Sequence, residues 1–215
     1  MSAQSAARPE APEAKAAARM ALRYARHGDR EMAIAVPMGS VRRLDFPDRE
    51  SKSAFVTAVL KARCEANEEL ELFGQPVRNL SGGARQKLRA RLGALSPIVG
   101  LINNLNAWEN ISLPAAYHGK PPLAEAAVIT QEVLDAFGVE PRIFLARVPD
   151  ELGKLERKIA AFARLMIAGP ELALIESLDE GLSRAECARV AGFEQAYRRR
   201  HPAGTLIFVD IREES

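Results

Sequence analysis

Lys52 and Ser53 stand side by side where FPDRESKSAF runs from a strand-like segment into a helical one. A helix N-terminus presents unpaired N–H groups and the positive end of its dipole, so a lysine and a hydroxyl placed there suit an anion. The same two residues also make an ordinary helix start, since serine is a favoured cap. Elsewhere the reactive residue types are scattered. His27, His118 and His201 show no ligand spacing with cysteines or carboxylates, and no structural metal is expected. Cys64 and Cys187 lie far apart in helical contexts, a pattern of buried thiols in a reducing cytoplasm rather than of a disulfide framework. The run Arg198-Arg199-Arg200-His201 reads as the basic end of a helix rather than as a phosphate-binding patch.

The elements around Lys52 and Ser53 follow from hydrophobic patterning. The chain has 215 residues, enough to bury a substantial core as one large or two small domains. Its 47% hydrophobic and 27% charged residues are those of an ordinary soluble globular protein. A net charge of +2 is too small to point to nucleic acid or to an anionic membrane. No apolar run approaches the ~20 residues that span a bilayer, and the N-terminus has no apolar signal core. Residues 1–18, mostly Ala, Pro, Glu and Ser, predict a disordered tail.

MALRYA, EMAIAV and SVRRLDF are short and partly alternating, as strands are. SKSAFVTAVLKARCEA predicts a helix on Phe55, Val56, Val59 and Leu60, ELELFG a strand ended by Gly74, and Gly83 to Leu92 a cationic helix. From Ile98 to about Asp150 the pattern is helical, with breaks at Pro114, at Gly119-Lys120-Pro121-Pro122 and at Gly138. In the last third LERKIAAFARLMIAG and RAECARVAGFEQAYRRR each predict one helix, and ELALIE and GTLIFVDI buried strands. Strands alternating with helices predict an α/β core over 19–96 and 151–215, with an inserted helical subdomain over 97–150.

Three segments, in order and at workable spacing, resemble an ATP-binding-cassette (ABC) ATPase from about Met20 onward. FPDRESKSAF resembles the phosphate-binding loop GxxGxGK[ST], with Lys52 and Ser53 in place and Phe46, Arg49 and Ser51 where glycines belong. RLGALSPIVGLINNLNAWENISLP resembles the glutamine-bearing Q-loop and the start of the helical subdomain: Gly93, Leu101, Glu109, Asn110, Leu113 and Pro114 match, and Pro97 stands for the glutamine. VPDELGKLERKIAAFARLMIAGPELALIESLDEGLS resembles the signature motif, its helix, the Walker B strand and the D-loop, and TLIFVDI puts Ile211 where the switch histidine belongs. LSGGARQK, Leu80 to Lys87, spells the signature literally, but it precedes the Q-loop segment and no acidic strand end follows it at the right distance. The later segment is therefore the better equivalent. In look the chain is nearest to the ATPases of lipid and lipoprotein transporters in Gram-negative envelopes.

The resemblance implies a P-loop NTPase fold of the ABC type, an α/β core with a mainly parallel sheet and an inserted helical subdomain. It makes Lys52, Ser53 and Glu176 the vestigial nucleotide-binding residues, Glu176 standing for the metal-holding aspartate with one extra methylene of reach. Ser177 replaces the glutamate that polarises water, and losing a positioned general base typically costs ~10²–10⁴ in rate. Phe46 and Arg49 are expected to fill space meant for phosphate. Gly153-Lys154-Leu155 replaces the signature Ser-Gly-Gly, and Ser183 the D-loop aspartate. No catalytic residue, no metal and no cofactor is therefore expected, ATP and Mg²⁺ entering only under the alternative of a weakly active transporter ATPase. A second alternative is a soluble P-loop-derived binding module. The implied partners are a membrane permease subunit, met through Trp108, Glu109 and Asn110, and either a second copy or another ABC ATPase subunit. Trp108 is equally suited to ordinary packing. The implied location is cytoplasmic, peripheral to the inner face of the membrane.

Overall fold

The computed structural model describes residues 20–28 and 32–212, so the tail expected over 1–18 lies outside the described residues. Two sheets organise them. The first is antiparallel, ordered β2-β1-β4-β5, from β1 (Met20–Arg26), β2 (Met32–Pro37), β4 (Glu68–Leu72) and β5 (Gln75–Pro76). The second is wholly parallel, ordered β3-β8-β7-β6, from β3 (Val41–Phe46), β6 (Leu92–Leu95), β7 (Leu172–Glu176) and β8 (Thr205–Ile211).

β7 and β8 read as unbroken apolar runs because both faces of the parallel sheet are covered. Side chains alternate between faces. Leu172, Leu174, Ile207 and Val209 join a core with the antiparallel sheet and α1 (Arg49–Lys61). Ala173, Ile175, Leu206 and Phe208 join another with the remaining long helices. Those are α3 (Ala107–His118), α4 (Leu123–Ala136) and α6 (Lys154–Ala168), with the short α5 (Pro141–Phe144) between them. No helix among the described residues is long and apolar enough to cross a membrane.

Four boundaries differ from expectation. The cationic helix α2 (Gly82–Arg89) stops early, and Leu92–Leu95 form β6 instead. A Cβ on Gly93 would stand 2.6 Å from Leu165 Cδ1 and 2.7 Å from Pro170 Cγ, so β6 lies against α6 only through a glycine. Pro114 lies inside α3 rather than breaking it. The lost backbone hydrogen bond is offset by burial of Ala107, Ile111 and Ala115 in the helical core. The last helix is two, α7 (Arg184–Val190) and α8 (Phe193–Arg200), separated near Gly192, where a Cβ would meet the Phe137 ring at 3.3 Å. Finally, ELELFG continues through a turn at Phe73 and Gly74, both at positive φ, into β5.

Candidate functional site

α1 begins three residues ahead of Lys52. Asp48 caps it: its Oδ1 accepts from Ser51 N at 2.7 Å, and its carbonyl accepts from Lys52 N at 3.2 Å. Arg49, Glu50 and Ser51 are thus already helical. A phosphate loop instead turns successive N–H groups toward the ligand, and here the Asp48 carboxylate takes one of them. Phe46 corrects an expectation. It is 1% exposed and packs into the core, its ring centroid 5.1 Å from that of Phe55, so it does not fill space meant for phosphate. Arg49 does reach the cleft, loosely paired with Glu180 at 3.9 Å.

Lys52 turns inward. Its Nζ donates to Ser177 Oγ at 2.6 Å and lies 3.3 Å from Glu176 Oε1. Glu176 also accepts from Ser96 Oγ, through Oε2, at 2.5 Å. β3 delivers Lys52 by way of α1, β7 ends on Glu176, and β6 ends just before Ser96. All three strands are parallel, so their carboxyl ends meet on one edge, where open α/β sheets bind ligands. Ser177 is held in the left-handed region at φ 48. Its N donates to Val209 O at 2.9 Å, and its carbonyl accepts from Lys158 Nζ at 2.8 Å. Such a conformation in a non-glycine residue persists only where its surroundings impose it.

Beside this cluster opens a cleft of about 630 Å³, lined by Arg49, Lys52, Ser177 and Arg212 and by the carboxylates of Asp45, Asp179, Glu180 and Asp210. Burial pushes the Asp210 carboxyl above its ordinary range; Asp179 and Asp45 add to this, while the Ile211 backbone and Lys52 oppose it. Burial likewise lowers Lys158, against the pull of Glu180, Asp179 and Asp210. Arg49, Lys52 and Arg212 are the residues that would hold the phosphate end of a nucleotide there, against the four carboxylates of the lining. Bound there, a nucleotide would supply a phosphoryl group. Entry requires Asp48 and the Lys52 pair to yield.

The structure brings Lys52 and Glu176 together but not Ser53, which is exposed on α1 and outside the cleft lining. The three docking residues are separated in role. Trp108 is partly buried against the helical core. Glu109 completes a capping box, its carboxylate accepting from Asn106 N at 2.7 Å. Asn110 is 0% exposed and binds Ile102 N, Ile102 O and Leu105 O, so it shapes a loop and cannot itself touch a partner. Leu155, which stands for a signature glycine, is buried in the core; Lys154 beside it lies over Gly181, its Nζ 3.0 Å from where a Cβ would be. The literal LSGGARQK opens α2, ahead of β6, while Gly153 stands at the start of α6 and donates to Glu156 Oε2 at 2.8 Å. Ser96, Asp48 and Asp210 were not singled out from sequence. Only Asp48 leaves a local signal there, a cap residue three ahead of Ser51.

A parallel sheet with a lysine at the strand-to-helix junction of an edge strand and a carboxylate at the end of β7 defines a P-loop NTPase core. With the antiparallel sheet and the helices between β6 and β7, the fold is that of ABC ATPases, and structural comparison agrees. The chain superposes on cbiO1 from Clostridium perfringens, part of the ABC transporter complex cbiONQ, with a TM-score of 0.70 at 14% identity, over 91% of this chain and 79% of that one. It superposes on the dimeric ATP-binding cassette MJ0796 bound to ADP and Pi with a TM-score of 0.69 at 17% identity, over 89% and 88%.

In sequence the chain is 29% identical over 189 residues to the uncharacterized ABC transporter ATP-binding protein YbbA of Escherichia coli (strain K12), covering 85% of this chain and 81% of that one. It is 28% identical over 194 residues to the phosphonates import ATP-binding protein PhnC of Anaeromyxobacter dehalogenans (strain 2CP-C), 86% of this chain and 38% of that one. No family model matches the chain. Fold and sequence similarity agree on an ATP-binding-cassette domain of the ABC transporter type. The expectation of no cofactor is overturned here, because these relatives are ATP-binding proteins and the superposed cassette MJ0796 is bound to ADP and Pi.

Proposed function

We propose that this chain is an ABC-type ATP-binding subunit with degenerate Walker motifs that does not hydrolyse ATP at its own site and serves a transport assembly as a structural or regulatory partner. Ser177 carries this reading. It stands next to Glu176, where a general base is needed, and its hydroxyl, which accepts from Lys52, has no useful basicity near neutral pH. Ile211 lines the cleft where the family's switch histidine belongs, and Pro97 opens a short 3₁₀ turn in place of the Q-loop glutamine. These losses fall on separate parts of one mechanism.

The same reading divides the chain into an ATPase-like core over 19–96 and 151–215 and a helical part over 97–150. Lys52 and Glu176 remain the nucleotide-site residues. The helical part and the adjoining turn at Pro97–Val99 meet a membrane permease subunit, which places the chain at the inner face of the membrane. Pairing is with a second copy or with another ABC ATPase subunit; the cassette MJ0796 is dimeric.

Two measurements on the purified chain test the proposal: equilibrium binding of Mg-ATP, and phosphate release at saturating Mg-ATP. The expected result is binding that weakens in Lys52→Ala, with phosphate release at background. Release well above background that disappears in Lys52→Ala would establish a working ATPase instead.

A further inference from the structure

β3 is an edge strand: among the described residues it pairs with β8 on one side and with no strand on the other. In a parallel ladder alternate residues turn both backbone groups toward the same neighbour. Leu206 N donates to Ser40 O at 3.0 Å and Arg212 N to Phe46 O at 2.8 Å, so Ser40, Arg42, Leu44 and Phe46 face β8. Val41, Arg43 and Asp45 therefore turn their N–H and C=O groups to the open edge. The register along β8 runs unbroken from Val41 to Phe46, with no bulge to twist that edge away. Pro47, which has no N–H, follows directly and ends what the edge can offer.

Unpaired backbone groups on a regular strand are a template for another strand. Charged side chains commonly blunt such an edge, and Arg42, Arg43 and Asp45 are all exposed. Their order, however, is self-complementary. Two copies of β3 meeting antiparallel about a two-fold axis can bond only through the outward residues. An axis at Arg42, Arg43 or Asp45 sets that residue against its own copy, like charge to like. An axis at Leu44 instead sets Arg43 opposite the partner's Asp45 and Asp45 opposite the partner's Arg43, with the two leucines between them. Each of those charged pairs exchanges two backbone hydrogen bonds, and opposite charges facing across strands attract. Arg43 is already held out along the edge. It lies over the Phe208 ring, 4.2 Å from the centroid, and donates to Glu194 Oε2 at 2.9 Å, with further donors left on its guanidinium.

We infer that β3 is a self-association surface: a second copy of this chain adds its β3 antiparallel about an axis at Leu44, so that the two parallel sheets become one. The inference takes from the proposed function only that copies of this chain pair, and it gives that pairing its surface. Asp45 also lines the cleft, so the partner's Arg43 brings a cation to the cleft's acidic side.

Sedimentation of the ligand-free protein over a concentration series tests the surface. The parent is expected to pass from monomer to dimer. Arg43→Asp and Asp45→Arg each set like charges opposite one another and weaken self-association by about tenfold. An equimolar mixture of the two variants restores it, because each then faces the opposite charge. Leu44→Cys tests the register with both charges in place, should Arg43→Asp not fold. Facing residues that do not share backbone hydrogen bonds have Cα atoms about 4.5 Å apart, within reach of a disulfide. Mild oxidation is expected to link Leu44→Cys chains about tenfold faster than Arg42→Cys chains, whose cysteines each face Phe46 rather than one another. A parent that stays monomeric, a dimer untouched by either charge reversal, or equal cross-linking at the two positions would overturn the inference. The second of these keeps the pairing with a second copy and removes only its surface. No nucleotide enters the experiment, so its failure is distinct from a failure of the Mg-ATP binding test.

Discussion

Lys52 Nζ lies 3.3 Å from Glu176 Oε1, with 7% and 8% of the two side chains exposed. A buried ion pair contributes little net stability over apolar residues of similar volume, but breaking it leaves one charge buried and alone. Glu176→Ala is therefore expected to lower the unfolding free energy by about 3–5 kcal/mol. The double variant Lys52→Met, Glu176→Leu should recover most of that loss. Urea midpoints of the two variants, compared at constant slope, check this; a double variant no more stable than Glu176→Ala counts against it.

Asp48 and Ser51 bear on ligand entry. The Asp48 carboxylate sits on Ser51 N, where a phosphate loop would place an anion. Asp48→Ala should destabilise the protein by about 1 kcal/mol through the lost cap, and yet tighten Mg-ATP binding by freeing an N–H and removing a negative charge. Isothermal titration of parent and variant decides; weaker binding in the variant would show that Asp48 does not compete with phosphate.

Asn110 satisfies the backbone of the 102–106 loop from inside. Asn110→Ala removes a partner from Ile102 N and from three carbonyls, at about 1–3 kcal/mol for any group left buried and unpaired. Amide exchange should rise across 102–105 while β7 stays protected. A uniform rise over the whole chain would argue that Asn110 acts only on global stability.

His201 supplies a pH dependence. Burial lowers its imidazole below the ordinary 6.5, with Arg200 adding to the effect and a hydrogen bond with Met166 O, 3.1 Å away, opposing it. The unfolded chain then takes up the proton first as pH falls. The stability contributed by neutral His201 is whole above the unfolded value and is lost as pH drops from there through the folded value. Between about pH 7.5 and 5.5 the parent should thus lose more stability than His201→Gln, as thermal melts at both values will read.

Gly93 tests how closely β6 lies to α6. A Cβ there would meet Leu165 and Pro170 well inside contact distance, so Gly93→Ala is expected to cost about 1–3 kcal/mol through overpacking. Trimming the neighbour, as in Gly93→Ala with Leu165→Ala, should cost less than the sum of the two single changes. Additive costs would place the strain elsewhere.

Much of the architecture was legible in the chain because its signals are local. ELALIE and GTLIFVDI could only be strands covered on both faces, and Gly119 and Gly138 stop helices where their positive φ requires glycine. Pro114 misled, because the burial that carries α3 through it comes from α6, far along the chain. The order of Lys52 before Glu176 and the lack of a base beside Glu176 are likewise properties of the sequence alone.

What the tertiary structure decided is which groups answer one another. Phe46 goes to the core because Phe55, one helical face further on, offers it a ring to pack against. Ser96 and Glu176, 80 residues apart, are hydrogen-bonded because β6 and β7 run parallel and end together. Pairing across parallel strands depends on register and crossover, which no local pattern of residue types encodes. The lysine, the carboxylate and Ser177 were visible in the sequence, whereas their mutual satisfaction and the part Ser96 takes in it are properties of the fold.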